Sequence, residues 1–145
     1  MKYKTYIPKV DKSQEVKWYF FDAQERILGK LAAEIAKFLT GKNSPDFSPH
    51  MVPRIRVLVV NSQKIVVTGN KLDDKKYYRH SRYPGGLKEI NLAELNKKDS
   101  TKALFLAVKG MLPKNKLRQE YLSNLHIFAD ENHDKQAQDL IKVNF

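Results

Sequence analysis

The aromatic run Val16-Lys17-Trp18-Tyr19-Phe20-Phe21 reads as a strand buried in a sheet, and the residues after it dictate the kind of sheet. Leu28, Leu31, Ala32, Ile35, Ala36 and Leu39 recur at helical spacing, with Lys30, Glu34 and Lys37 off that stripe. Gly41 stands where such a helix stops. After a loop broken by Pro45 and Pro49 comes Arg56-Val57-Leu58-Val59-Val60, a continuous apolar run of the kind covered on both faces. Strand, helix and strand in this order predict a βαβ unit with parallel strands. Asp22-Ala23-Gln24-Glu25 has the spacing of a capping box, with Asp22 as N-cap and Glu25 reaching back. Beyond a turn at Asn61-Ser62, Lys64 to Thr68 reads as a third strand that runs into a turn at Gly69-Asn70.

Farther along, Asn91 is placed to cap a short helix carrying Leu92 and Leu95, and Ser100 to cap a longer one. The longer helix has Leu104, Val108, Met111 and Leu112 at helical spacing and is stopped by Pro113. Leu117, Tyr121 and Leu125 then recur every four residues, and His126-Ile127-Phe128-Ala129 reads as the last strand. Residues 1–15 read as a basic extended arm. From Asp130 the tail is polar, with Leu140, Ile141, Val143 and Phe145 as the residues able to dock it. With no internal repeat and no dividing linker, residues 1–145 read as a single domain.

Charge points to the partner. Twenty-seven Lys+Arg against 16 Asp+Glu give a net charge of +11, a self-repulsion that an anionic partner relieves. No apolar run approaches the roughly 20 residues of a spanning helix, and nucleic acid fits better than a membrane surface, which needs an amphipathic helix whose apolar face is free, whereas the apolar face of the one basic helix that partly fits is needed for the core. The chain has no cysteine, which excludes disulfides, thiolate zinc sites and a cysteine nucleophile. The N-terminus lacks the apolar core of a secretory signal, and a cytoplasmic setting is expected.

The basic residues concentrate in Val67 to Lys88, where Tyr77, Tyr78 and Tyr83 sit among six lysines and arginines and His80 before Pro84-Gly85-Gly86. Cations suit phosphates, and flat rings suit bases and sugars, so this loop is the candidate nucleic-acid-gripping element; the alternative is a basic surface hairpin whose tyrosines pack down on the domain. Catalytic readings find little support. Gly69-Asn70-Lys71 lacks the second glycine and the Lys-Ser/Thr pair of a phosphate-binding loop, and Gly85-Gly86 is no dinucleotide fingerprint. His126, Asp130, Glu131, His133 and Asp134 match no zinc spacing. His80 could act as a general base, but no carboxylate nearby in sequence is placed to orient it.

Several motifs, in order, carry a resemblance. They are Gly29-Lys30-Leu31-Ala32, Pro49-His50, Val67-Thr68-Gly69-Asn70-Lys71, Tyr77-Tyr78-Arg79-His80-Ser81 with Pro84-Gly85-Gly86-Leu87-Lys88, and Val108-Lys109-Gly110-Met111-Leu112-Pro113-Lys114. From about residue 16 to 129 the chain resembles the L-thirteen family of bacterial large-subunit ribosomal proteins. It departs from the family pattern at Val52-Pro53-Arg54-Ile55, where an acidic turn is usual, and after Pro113, where two glycines are missing.

The resemblance implies an α/β fold: a three-layer α/β/α domain around a small, mostly parallel four-stranded sheet. It implies a structural role in binding large-subunit rRNA and supporting early subunit assembly, with no enzyme activity, cofactor, metal or small-molecule substrate. The expected partners are large-subunit rRNA and neighbouring large-subunit proteins, with no membrane. The RNA-binding residues expected are Lys71, Lys75, Lys76, Tyr77, Tyr78, Arg79, His80, Ser81, Arg82, Tyr83, Gly85, Gly86 and Lys88, together with Lys109, Lys114, Lys116 and Arg118. The alternatives are a regulatory RNA-binding protein acting off the ribosome and a metal-dependent nuclease.

Overall fold

The computed structural model describes residues 15–143. Strand β1 (Lys17–Asp22) is followed by helix α1 (Leu28–Thr40) and strand β2 (Ile55–Val60). The two strands pair in parallel from Lys17↔Ile55 to Asp22↔Val60, so the expected βαβ unit is present. Helix α1 ends at Gly41, whose φ of 78° is left-handed and whose N–H donates to the carbonyl of Phe38.

Alternation along the strands assigns the two faces of the sheet. Tyr19 and Phe21 meet Phe38 of α1 edge-on, at ring separations of 4.7 and 5.3 Å. Phe21, Val57 and Val59 share one buried core with Leu31 and Ile35 of α1 and with Leu104 and Val108 of helix α4 (Ser100–Met111). Fully burying one such side chain stabilises by about 1.5–3 kcal/mol, which makes this face the main source of stability. On the other face Trp18 stacks on His126 at 5.4 Å, and the Arg56 guanidinium lies 5.2 Å from the indole centroid. There His133, from the polar tail, approaches Phe20 and Phe128 at 6.3 and 6.1 Å.

The start of α1 corrects the capping-box expectation. Asp22 is the last residue of β1, and its Oδ1 accepts from the Gln24 N–H and the Asn61 amide, each at 3.0 Å. Glu25 takes a φ of 58°, outside any helix. The helix waits until Leu28 because the chain first pairs with the segment after β2: Val66 N–H donates to the Arg26 carbonyl and Leu28 N–H to that of Val66, both at 2.9 Å.

The same pairing explains why Lys64 to Thr68 is not a third strand. Residues Ser62–Lys64 form a 3-10 turn, and Val66 makes one isolated bridge to Ile27. Ile65 and Val67 pack on the core while Val66 is exposed, which gives the alternation of a strand without a ladder. The sheet gains its other strands later, from β5 (Leu125–Ile127) beside β2 and β6 (Leu140–Lys142) beside β1, both parallel. The order is β5-β2-β1-β6. His126 to Ala129 is therefore not the last strand, because the tail supplies an edge strand of its own. Leu140 and Ile141 lie within that strand, whereas Phe145 and the arm over residues 1–14 lie outside the described residues. The result is an α/β fold on a parallel four-stranded sheet, with a small antiparallel sheet beside it.

Candidate nucleic-acid interface

The stretch expected to be a loop is a built element. Helix α2 (Lys71–Asp74) turns the chain, strands β3 (Lys76–His80) and β4 (Leu87–Asn91) form an antiparallel hairpin, and helix α3 (Leu92–Lys98) follows directly. Asn91 takes the N-cap position of α3 without a side-chain capping bond. For α4 the cap is Asp99 rather than Ser100: its Oδ1 accepts from the Thr101 N–H at 3.0 Å and the Thr101 hydroxyl at 2.6 Å. Asp99 sits one residue earlier and ionises, so it outcompetes a serine hydroxyl there.

Residues opposite one another in an antiparallel pair share a face. Tyr77 and Ile90 form one such pair, and both pack on a second small core of Leu92, Leu95 and Ala103. This docks the base of the hairpin and places Tyr77 half-buried, its hydroxyl without a hydrogen-bond partner and its phenol raised in pKa by burial. The Lys75 ammonium lies 5.6 Å from the Tyr77 ring centroid. One step out on the same face, Arg79 stands opposite Lys88, and both are exposed. The other face carries Lys76, Tyr78 and His80, opposite Asn91, Glu89 and Leu87. Tyr78 is 63% exposed, and Lys76 pairs diagonally with Glu89 at 3.3 Å.

The turn is held by its own backbone. Ser81 N–H donates to the Gly86 carbonyl at 3.1 Å and Gly86 N–H to the Tyr83 carbonyl at 2.9 Å. Arg82 (φ 67°) and Gly85 (φ 69°) are left-handed, and the Arg82 N–H donates to His80 Nδ1 at 2.8 Å. That bond fixes Nδ1 as an acceptor and orients the ring. Tyr83 projects from the tip, 75% exposed.

The second basic segment starts in the last turn of α4 with Lys109 and runs to helix α5 (Arg118–Ser123). Between them the chain turns at Pro113, with the Asn115 N–H donating to its carbonyl at 2.9 Å. Arg118 Nη1 reaches back to the Lys109 carbonyl at 3.5 Å, folding the segment on itself and leaving Lys109, Lys114 and Lys116 exposed.

A cleft of about 620 Å³ joins the two basic segments. Lys71, Asp74 and Lys75 line one wall, and Gly110 and Met111 another. So Lys71 and Lys75 are brought beside the end of α4, while Tyr77 points into the small core and Tyr78 and Tyr83 stay outside. Helical spacing places Met111 in the apolar stripe of α4, yet it is 46% exposed. The one available signal was that Leu104, Val108 and Leu112 already complete a spacing of four.

Among the described residues, Lys76 is the only one of these cations with a carboxylate within ion-pair distance. No group of three potential metal ligands is assembled among them, and no helix is long and apolar enough to cross a membrane.

An α/β domain with an outlying cationic hairpin beside an open, lysine-rimmed cleft belongs to the class of proteins that work through their surface. The chain belongs to the ribosomal protein L13 family, whose family model matches residues 16–134. It is similar to the large ribosomal subunit protein uL13 of Kocuria rhizophila, 46% identical over 135 residues that span 93% of this chain and 91% of that protein. The uL13 proteins of Oleidesulfovibrio alaskensis and Bacillus thuringiensis are 48% and 46% identical, covering 93% and 86% of this chain and the same shares of their own lengths.

Proposed function

We propose that this protein is a structural constituent of the large ribosomal subunit, that it binds large-subunit rRNA through the β3–β4 hairpin and the Lys109–Arg118 segment, and that it supports early assembly of the particle. The cross-strand pair of Arg79 and Lys88 carries the reading. Two like charges directly opposite one another oppose hairpin formation, and a phosphate between them converts the repulsion into two charge-assisted hydrogen bonds. The family is one of structural ribosomal proteins, and no reaction or cofactor enters the mechanism.

The mechanism is electrostatic. Lysines and arginines displace counterions from the RNA backbone, while exposed Tyr78 and Tyr83 offer rings to bases or sugars. The relatives' names support the large subunit as the assembly joined. Cytoplasmic ribosomes and neighbouring subunit proteins are the setting we infer. Binding to large-subunit rRNA is expected to weaken steeply as salt rises, and the protein to sediment with large subunits at native salt. A flat plot of log affinity against log salt would refute the mechanism, and sedimentation apart from the subunit would favour a role off the ribosome.

A further inference from the structure

We propose that the cleft between α1, α2 and α4 is a seat for one unpaired nucleotide of the bound RNA, its base on the apolar lining and its flanking phosphates on Lys71 and Lys75. This rests on the RNA-binding reading above and adds to it a chemical class of ligand for one place.

The apolar lining comes from Leu28, Val67, Ala107 and Met111, and the cleft volume lies within the roughly 300–1,000 Å³ usual for small-ligand sites. Two glycines keep it open. Gly29 lies in the first turn of α1 and Gly110 in the last of α4; both line the cleft, and a Cβ on either would meet nothing within 4 Å. Neither takes a positive φ, so the backbone does not require glycine at either place. Glycine in a helix is less stable than alanine. Among the described residues no neighbouring atom requires glycine at either place, whereas a flat group lying against the two helix ends would.

Charge selects the occupant. Lys71 and Lys75 make no salt bridge among the described residues. An apolar side chain of a protein seated here would desolvate both ammonium groups without a counter-ion, whereas a nucleotide brings phosphates to them. Asp74, on the same wall and 3.4 Å from the Asn70 amide, repels phosphate but accepts from the exocyclic amino group of a base. The base must be unpaired, because an A-form duplex keeps its bases stacked and its deep groove too narrow for protein walls.

The test uses the full chain carrying 13C-methyl methionine, titrated with single-stranded oligoadenylate and with an A·U duplex of the same length. Anisotropy and methyl shifts are read on both. The Met111 methyl is expected to move upfield under the base's ring current with the single strand and not with the duplex, while Met51 serves as the internal reference. Gly110→Leu fills the cleft and is expected to abolish that shift and weaken single-strand binding about tenfold, within the range of one stacked base, with duplex binding unchanged. If Gly110→Leu perturbs the fold, Gly110→Ala narrows the same space, and the wild-type shift is decisive alone. RNA binding with no Met111 shift, or an equal shift with the duplex, would overturn the nucleotide seat and leave the RNA-binding reading standing. Absence of salt-dependent binding to either probe and to large-subunit rRNA would overturn both.

Discussion

Arg79 and Lys88 face each other directly across the β3–β4 hairpin, one step beyond the pair, Tyr77 and Ile90, that docks the hairpin on the domain. Placed nearer the core, two cations would oppose desolvation, and placed on the outer face they would stand beside Glu89. Their actual position leaves both exposed with no carboxylate within ion-pair distance among the described residues. Arg79→Glu turns the repulsive pair into an attractive one. The variant should gain about 0.2–1 kcal/mol of stability, the range of a cross-strand pair. It should nonetheless bind rRNA less tightly, with the slope of log affinity against log salt reduced by about 1 for each phosphate no longer neutralised. Urea midpoints and a salt titration measure the two effects separately. A stabilised variant with an unchanged salt slope would remove Arg79 from the interface.

Tyr77 separates a packing role from a contact role. Its hydroxyl is buried without a partner, while its ring lies on Leu92, Leu95 and Ala103. Replacing an unsatisfied hydroxyl by hydrogen removes a desolvation cost, so Tyr77→Phe should be neutral or stabilising by about 1 kcal/mol. Tyr77→Ala should cost about 2–3 kcal/mol, less than the roughly 3–5 of a fully buried aromatic residue because the ring is half-exposed. If RNA stacked on this ring, the Phe variant would bind normally and the Ala variant weakly at unchanged stability. Thermal unfolding of both variants beside an rRNA titration distinguishes the cases.

Local periodicity made the central helix and strand legible. The stripe from Leu28 to Leu39 and the run Arg56 to Val60 each have one physical solution, and α1 and β2 form as expected. Two of the readings that failed depended on a partner distant in sequence. Asp22 looked like a helix cap until Asn61 took its carboxylate, and Lys64 to Thr68 looked like a strand until Arg26 to Leu28 used its backbone. For the candidate interface, residue type identified Arg79, Arg82 and Lys88 as exposed cations. Only the cross-strand register could show which cations oppose one another, and only the tertiary fold that Lys71 and Gly110 line the same cleft.

His126 should give the folded state a measurable pH dependence. Burial against Trp18 pushes its imidazole below the ordinary 6.5, reinforced by Lys135 and Arg56 and opposed by Asp134. A histidine with a depressed folded pKa binds fewer protons folded than unfolded. Stability is therefore full above the unfolded value and declines as pH falls through 6.5 toward the folded one. His126→Gln removes the titration. The difference in urea midpoint between wild type and variant should shift against the wild type on acidification through this window and stay constant at alkaline pH. A constant difference throughout would show that His126 titrates alike in both states.

Gly86→Ala tests the shape of the hairpin tip without touching charge. A Cβ there would overlap the Ser81 hydroxyl oxygen and come within 2.9 Å of the Tyr83 carbonyl, the acceptor of the Gly86 N–H. The turn must open, and Arg82 and Tyr83 lose the positions that the left-handed Arg82 and Gly85 residues give them. Because the tip lies away from both cores, global stability should change by no more than about 1 kcal/mol, as for a mutation outside the buried set. Incorporation into large subunits, read by sedimentation, should fall severalfold. Adding Ser81→Gly removes one of the two collisions and should recover part of that loss. If Gly86→Ala incorporates like wild type, the tip's shape is irrelevant and the hairpin acts through Arg79, Lys88 and its base alone.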